Sequence, residues 1–429
     1  MKPRPPAGAF VVCSGGSRRN TGSRRSTAAR EPVSARALAW TTEHVCVSAT
    51  SGFDRSGRRG QYGESVNSAP RCPHCRHFLY LDMLICPNCE AEVAYNLVTR
   101  QFHGLRRGQV QIGETTWYAC SNRAWDCNWL VREDAPNGKC LSCRLTRRQP
   151  DADDTIAMEK LAKTEQAKRR LILQLGDLGL PISPWYTKRG GLGFDLLSSL
   201  SSGQRVMIGH ANGIITLDLA ESLDDRREAL RVRLGEPYRT MLGHLRHEVG
   251  HYYQNVLITD DETWRRCRAL FGDERSSYQD ALKRHYANGA PDDWRDTFIS
   301  EYATMHPWED FAESFAHYLH ITGTLATAAS IGIHLDASAT NLRDTDVIPL
   351  ESYQDEAVNL LLSDWDWMSE AFNRINRSMG FGDLYPFDLV APVKRKLGFI
   401  HDLVTRAPLT REEQAAVAWA APMLEEEPT

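Results

Sequence analysis

The chain reads as α+β: a mostly helical domain carrying a small β-sheet, preceded by a small domain built on cysteines. Three observations lead there. Eight of the eleven cysteines fall between Cys72 and Cys143. A run rich in β-branched and aliphatic residues, RVMIGHANGIITLDL at 205–219, encloses an Asn-Gly pair, which favours two-residue hairpin turns. Beyond it, apolar residues recur at helical spacing through most of the remaining chain.

Composition narrows the functional classes. At 429 residues there is room for one large or two smaller domains, each with its own core. Hydrophobic residues at 42% and charged residues at 25% suit a soluble globular chain. A net charge of −4 leaves no footprint for nucleic acid or a membrane surface. No apolar run approaches the ~20 residues of a membrane span. The patch AFVVC at 9–13 is too short for the core of a secretory signal. A cytoplasmic location is the resulting expectation, and clustered C-x-x-C pairs in a reducing compartment indicate metal ligation rather than cross-linking.

Residues 1–68 are expected to form a disordered extension. They carry eleven basic and four acidic residues, with neither helical nor strand period. Such a segment buries too little apolar surface to offset its ordering entropy. A basic arm touching nucleic acid and an organelle-targeting peptide are the alternatives.

Residues 69–147 hold the cysteines. RCPHC supplies Cys72 and Cys75, and ICPNC supplies Cys86 and Cys89. Each C-P-x-C is a tight turn that aims two thiolates at one ion, and the ten residues between the turns allow a hairpin that brings them face to face. Four thiolates at this spacing favour zinc. A looser set, Cys120, Cys127, Cys140 and Cys143, is expected to hold a second ion, and spacing alone leaves open an exchange of half-sites between the two. Four-thiolate sites keep no open position, so both ions would be structural. His74 and His77 are expected to be exposed, and Cys13, Cys46 and Cys267 to be free thiols.

The segment RRQPDADD at 147–154 marks a boundary, and residues 148–420 read as one mostly helical domain. A helix over 155–176 would bury Ile156, Leu161, Leu171, Ile172 and Leu175. The hairpin follows, turning at His210-Ala211-Asn212-Gly213. Asp224 and Asp225 can then open a helical region that Gly235-Glu236-Pro237 interrupts. Residues 242–254, LGHLRHEVGHYYQ, contain an H-E-x-x-H motif. Tyr238, Met241, Leu242, Leu245, Val249, Tyr252 and Val256 form one side of that helix, and His244, His247, Glu248 and His251 the other. The i, i+4 pair His247 and His251 can share an ion, and Glu248 beside them can act on a metal-bound water.

A working site of this kind needs a third ligand from another helix. The best candidate region is EYATMHPWEDFAESFAHYLH at 301–320. Pro307 suits a first helical turn, and Trp308, Phe311, Phe315 and Leu319 supply an apolar stripe. Glu309 and Glu313 share a face with His317, one carboxylate to bind the metal and the other to accept the remaining N–H of a ligating histidine. Asp310 lies about 100° round the helix and reads as solvent-facing. A last helix covers NLLLSDWDWMSEAFNRI at 359–375, and residues 421–429 form an acidic tail.

The strings GEPYRTMLGHLRHEVGHYY, HANGIITLDLAE, FGDER and HPWEDFAESFAHYLH, with the cysteine-rich front, resemble zinc-binding metallopeptidases that carry an N-terminal zinc ribbon. The likeness runs from about Cys72 to about residue 407. It implies a zinc-ribbon domain at 69–147 and a zincin-like domain of the glutamate-ligand (gluzincin) type at 148–420. More narrowly, EDFAE at 309–313 is similar to the E-F-F-A-E helix of lethal-factor-type metallopeptidases. That likeness would make Glu309 the ligand, Glu313 its outer partner, and Tyr302 an oxyanion stabiliser, with buried packing as the alternative for Tyr302. It also implies that the strand at 214–219 binds an extended peptide by edge pairing.

The expected function is therefore hydrolysis of a peptide or isopeptide bond. One catalytic zinc would sit on His247, His251 and Glu309 with Glu248 as base, alongside two structural zinc ions. The expected partner is a peptide or protein substrate, without membrane or nucleic acid, and the ribbon could also engage a protein partner. The competing reading is a zinc-ribbon adaptor with a catalytically silent zincin scaffold.

Overall fold

The computed structural model describes residues 69–203, 206–219, 240–340 and 344–406. The expectations for 1–68, for the helical region at Asp224 and Asp225 with its break at 235–237, for Tyr238 and for the 421–429 tail lie outside the described residues. So do those for Cys13 and Cys46.

The cysteine-bearing segment forms two small antiparallel sheets. β1 (Val93–Asn96) pairs with β2 (Gln101–Gly104), and β4 (Thr115–Ala119) lies between β3 (Gln109–Ile112) and β5 (Leu130–Arg132). The same tight turn occurs twice. The N–H of Arg76 bonds the carbonyl of Cys72, and that of Glu90 bonds the carbonyl of Cys86. Arg76 and Glu90 are both left-handed, with φ of 63° and 57°. A short helix, α1 (Leu141–Leu145), then carries Cys143 and runs straight into β6 (Thr146–Arg148).

β6 does not belong to the cysteine segment's own sheets. It pairs in parallel with β7 (Gly193–Leu197), which pairs in parallel with β9 (Ile214–Asp218), and β8 (Gly209–Ala211) completes the order β6-β7-β9-β8. Arg147 fixes this edge with two hydrogen bonds to Asp195, at 2.9 and 2.6 Å. The boundary expected at 147/148 thus falls inside a strand. Thr-Arg-Arg has no apolar alternation to announce that strand, and only pairing with a distant segment creates it.

β8 and β9 form the expected hairpin around Asn212-Gly213, with φ of 50° and 83°. Positive φ at both turn residues is the type I′ geometry that matches strand twist. His210 and Ala211 are therefore strand residues rather than turn residues. A Cβ at Gly213 would stand 2.3 Å from the Gly190 carbonyl oxygen, so the position admits no side chain. β9 has a neighbour on each side. The edge pairing expected at 214–219 is corrected accordingly: among the described residues the outer strand on that side is β8.

α2 (Thr155–Asp177) starts where Asp154 accepts the N–H of Ala157 at 3.0 Å. Leu161, Leu171, Ile172 and Leu175 are buried as expected, but Ile156 is 56% exposed. In that first turn Ala157 and Met158 face the core, and Ile156 points away from it.

The site rests on α4 (Met241–Leu257) and α7 (Pro307–Ser330), with α3 (Ser199–Ser202) following β7, and α5 (Asp261–Phe271) and α6 (Tyr278–Asn288) between them in sequence. Thr240 caps α4 by accepting the N–H of Gly243 at 3.0 Å. The His306 ring caps α7 by accepting the N–H of Trp308 at 3.1 Å, with Pro307 in the first turn. Phe311, Phe315 and Leu319 bury α7's apolar stripe completely. α8 (Val358–Ser378) and α9 (Ala391–Thr405) pack around its other sides.

Asp310 is fully buried and forms an ion pair with buried Lys396 of α9 at 2.6 Å. The solvent-facing reading of Asp310 is therefore corrected, because α9 covers that side of α7. Burial raises the Asp310 carboxyl to about 7 against the opposing pull of Lys396. Asp310→Ala leaves the Lys396 ammonium without its counter-charge in the core, at an expected cost of about 3–5 kcal/mol. Urea unfolding checks this as a fall in midpoint at unchanged slope. No helix among the described residues is long and apolar enough to cross a membrane.

Candidate metal centre

α4 is buried on two sides. Leu245, Val249 and Tyr253 enter the core, while His247, Glu248 and His251 lie under α7 with 8%, 5% and 5% exposure. The histidine face is thus covered by a second helix rather than by solvent. Small residues make that possible. A Cβ at Gly250 would stand 2.9 Å from the Cα of Ala312, so the helices touch backbone to backbone. Glu309, nearly one turn before Ala312, then reaches across the crossing.

Glu309 Oε2 lies 2.9 Å from His247 Nε2 and 3.4 Å from His251 Nε2. One ligand atom from each of the three residues falls within 4.8 Å of the others. Their remaining atoms are held from outside. His247 Nδ1 is 2.7 Å from Glu313 Oε1, and Glu313 Oε2 accepts the Ser300 hydroxyl at 2.7 Å. A carboxylate on Nδ1 keeps the proton there and leaves Nε2 facing the site. Glu309 Oε1 accepts the Tyr278 hydroxyl at 2.8 Å. His251 is oriented by packing instead: its ring meets Trp308 at 4.7 Å and His247 at 4.9 Å, both edge-on.

Glu248 stands apart from this set. Its Oε1 is 3.7 Å from His244 Nε2, and its Oε2 is buried without a hydrogen-bond partner among the described residues. Burial pushes its carboxyl upward, opposed by the charges of His247 and His251. A buried carboxylate oxygen that lacks a donor among the described residues is free to accept one. Burial disfavours the charged His247 ring, yet its bonds to Glu309 and Glu313 hold its pKa well above the usual histidine value. Burial likewise opposes the Glu309 charge, and His251 and His247 overcome it. The field that retains a positive ring here also favours a cation. Two imidazole nitrogens and one carboxylate oxygen, with two of the three residues fixed from outside by hydrogen bonds, form a donor set that fits zinc with one position left open.

Other expected residues fall at differing distances from this point. The Tyr302 ring, in the turn before α7, is 5.9 Å from His247, and its hydroxyl is hydrogen-bonded to Tyr278. Because Tyr278 gives its own proton to Glu309, Tyr302 is the donor in that pair. His317 is outside the cluster: it lies about two turns past Glu309, with Nδ1 2.8 Å from the Tyr385 hydroxyl. Tyr278 and Ser300 escaped the sequence reading, since both sit at element starts where no periodicity marks them. His210 on β8 places its ring 6.3 Å from that of His251, which sets the sheet's outer strand beside the centre.

The cysteines gather into two sets, Cys72, Cys75, Cys86 and Cys89, and Cys120, Cys127, Cys140 and Cys143. Sulfur separations are 3.6 Å for Cys72–Cys89 and Cys75–Cys86, 3.7 Å for Cys120–Cys143 and 3.6 Å for Cys127–Cys140. A tetrahedron with Zn–S of ~2.3 Å has edges of about 3.8 Å, whereas a disulfide needs ~2.05 Å. Half-sites are not exchanged between the sets. All four sulfurs of the second set come from buried residues, while Cys89 of the first is exposed. His74 and His77 are exposed. Cys267 is a buried free thiol that burial pushes up to about 12.

Comparison with known proteins agrees with this picture. A family model described as "Putative zinc-binding metallo-peptidase" matches residues 157–403, and a zinc-ribbon domain model matches residues 70–154. Uncharacterized proteins of Mycobacterium bovis and of two strains of Mycobacterium tuberculosis are each 44% identical over 330 residues, 74% of this chain and 94% of theirs. No solved structure matches the chain.

Proposed function

This chain belongs to the family of zinc-binding metallo-peptidases matched over residues 157–403, and from that premise we propose that it hydrolyses a peptide or isopeptide bond in a peptide or protein substrate. The observation that carries the reading is the convergence of His247, His251 and Glu309 on the helix that carries Glu248, whose Oε2 is buried and unpartnered among the described residues.

His247, His251 and Glu309 would hold one zinc ion, and the two cysteine sets would hold two structural ones. An ion bound at the first of these sites would supply Lewis acidity to a water near neutral pH and to the substrate carbonyl. Glu248 takes the proton of the attacking water and passes it to the leaving amine, a transfer its burial-raised proton affinity favours. Glu313 keeps His247 aimed. Tyr302, held protonated by burial, gives up its bond to Tyr278 and donates to the carbonyl oxygen as that oxygen becomes negative. The outer edge of β8, beside His251, offers main-chain groups to an extended peptide.

Elemental analysis tests the assignment. One zinc per donor cluster gives three per chain, and Glu309→Ala should retain two. A peptide library cleaved by the wild-type protein should survive that variant intact. Undiminished zinc in Glu309→Ala removes the proposed ligand set.

A further inference from the structure

Glu309 has two carboxylate oxygens, and the structure treats them differently. Oε2 faces the Nε2 atoms of His247 and His251, at 2.9 and 3.4 Å. Oε1 is occupied by the hydroxyl of Tyr278, at 2.8 Å. Tyr278 is the first residue of α6, and Ser277 caps that helix by accepting the N–H of Asp280. Its ring is half-buried, 6.3 Å from Trp308 and 5.3 Å from His306, both of which belong to the start of the helix that carries Glu309. The hydroxyl is thus delivered from a separate helix onto one chosen oxygen. Behind it, Tyr302 is hydrogen-bonded to Tyr278, so the chain of donors runs Tyr302, Tyr278, Glu309.

We propose that Tyr278 is a positioning residue for the ion held by His247, His251 and Glu309: by occupying Oε1 it restricts the carboxylate to a single ligating oxygen and preserves an exchangeable place on the metal. This rests on the peptidase reading and deepens it. A carboxylate free to ligate through both oxygens would fill the place that the reaction requires, and a hydrogen-bonded phenol prevents this without adding charge. Partners outside a metal's ligands typically change affinity by about 10–100-fold when removed. Tyr302 acts one bond further out, so its loss should matter less.

The test uses full-length protein with both cysteine sets filled with zinc. A mild chelator strips the histidine–glutamate site, cobalt(II) refills it, and elemental analysis verifies the filling before spectra are taken. Visible absorption of cobalt is strong in four-coordinate and weak in higher-coordinate sites. Tyr278→Phe should melt close to wild type, lower zinc affinity at this site by about 10-fold in a competing-chelator titration, and weaken the cobalt bands as the second oxygen joins the ion. Tyr302→Phe should shift both readings in the same direction by less. Wild-type affinity together with a wild-type cobalt spectrum in Tyr278→Phe overturns the positioning role and leaves the peptidase reading standing. Failure of the wild-type protein to take up any ion at this site overturns both.

Discussion

Glu248→Gln should retain its fold and its full metal content while losing hydrolysis by about 10²–10⁴-fold, the usual worth of a positioned proton-transfer group. The substitution preserves shape and removes the charge and the basic lone pair. Among the described residues Glu248 Oε2 has no hydrogen-bond partner and Oε1 meets His244 at 3.7 Å, so no strong bond among them is lost. The three residues proposed to hold zinc and the outer contacts of Glu313 and Tyr278 are untouched. Zinc content and melting temperature should therefore match wild type, and turnover of a cleaved peptide should carry the whole effect. A variant within about threefold of wild-type rate would assign proton transfer to another group and remove the mechanism derived from this site.

Gly250→Val should abolish metal uptake at the same centre. Its Cβ would stand 2.9 Å from the Cα and 3.1 Å from the carbonyl oxygen of Ala312. Both are helix backbone, which cannot swing aside as a flexible side chain can. The helices must separate, and the extra bulk costs about 1–3 kcal/mol by over-packing. The larger consequence is geometric. Glu309 meets His247 and His251 only because the crossing is close, and a supporting error near 1 Å is enough to spoil a site. Gly323→Ala, on the facing helix α7, is the control: the nearest atom to its added Cβ is the side-chain amide of Gln174, a far end that can shift. That variant should keep three zinc ions. Full zinc in Gly250→Val would show that the approach of α4 to α7 does not set the ligand geometry.

What the sequence discloses follows from how locally each feature is determined. His247 and His251 are legible because four residues of one helix place them on one face whatever surrounds it. Glu309 and Glu313 are legible on one face for the same reason, and only the likeness of EDFAE to a family helix points to Glu309 as the one that stands against the histidine Nε2 atoms. The cysteine turns carry their geometry in three-residue spacings. Asp310 differs from Glu309 by one position, and its burial depends on α9, some eighty residues later, supplying Lys396. Tyr278 and Ser300 have no period to betray them, because their contacts come from where an element begins. The sequence points to β9 rather than β8 as the edge because β9 is the more apolar of the two, while β8, the outer strand among the described residues, is only three residues long.

β6 has a consequence for how this protein can be divided. A shortened gene starting at Gln149 or Pro150 would remove Thr146–Arg148 from the sheet and bare the flank of β7 along with Asp195, which would lose Arg147. An uncovered strand flank invites pairing with another chain. The half bearing His247 and Glu309, produced alone, should therefore be recovered as aggregate, whereas a fragment beginning at Ala69 should stay dispersed.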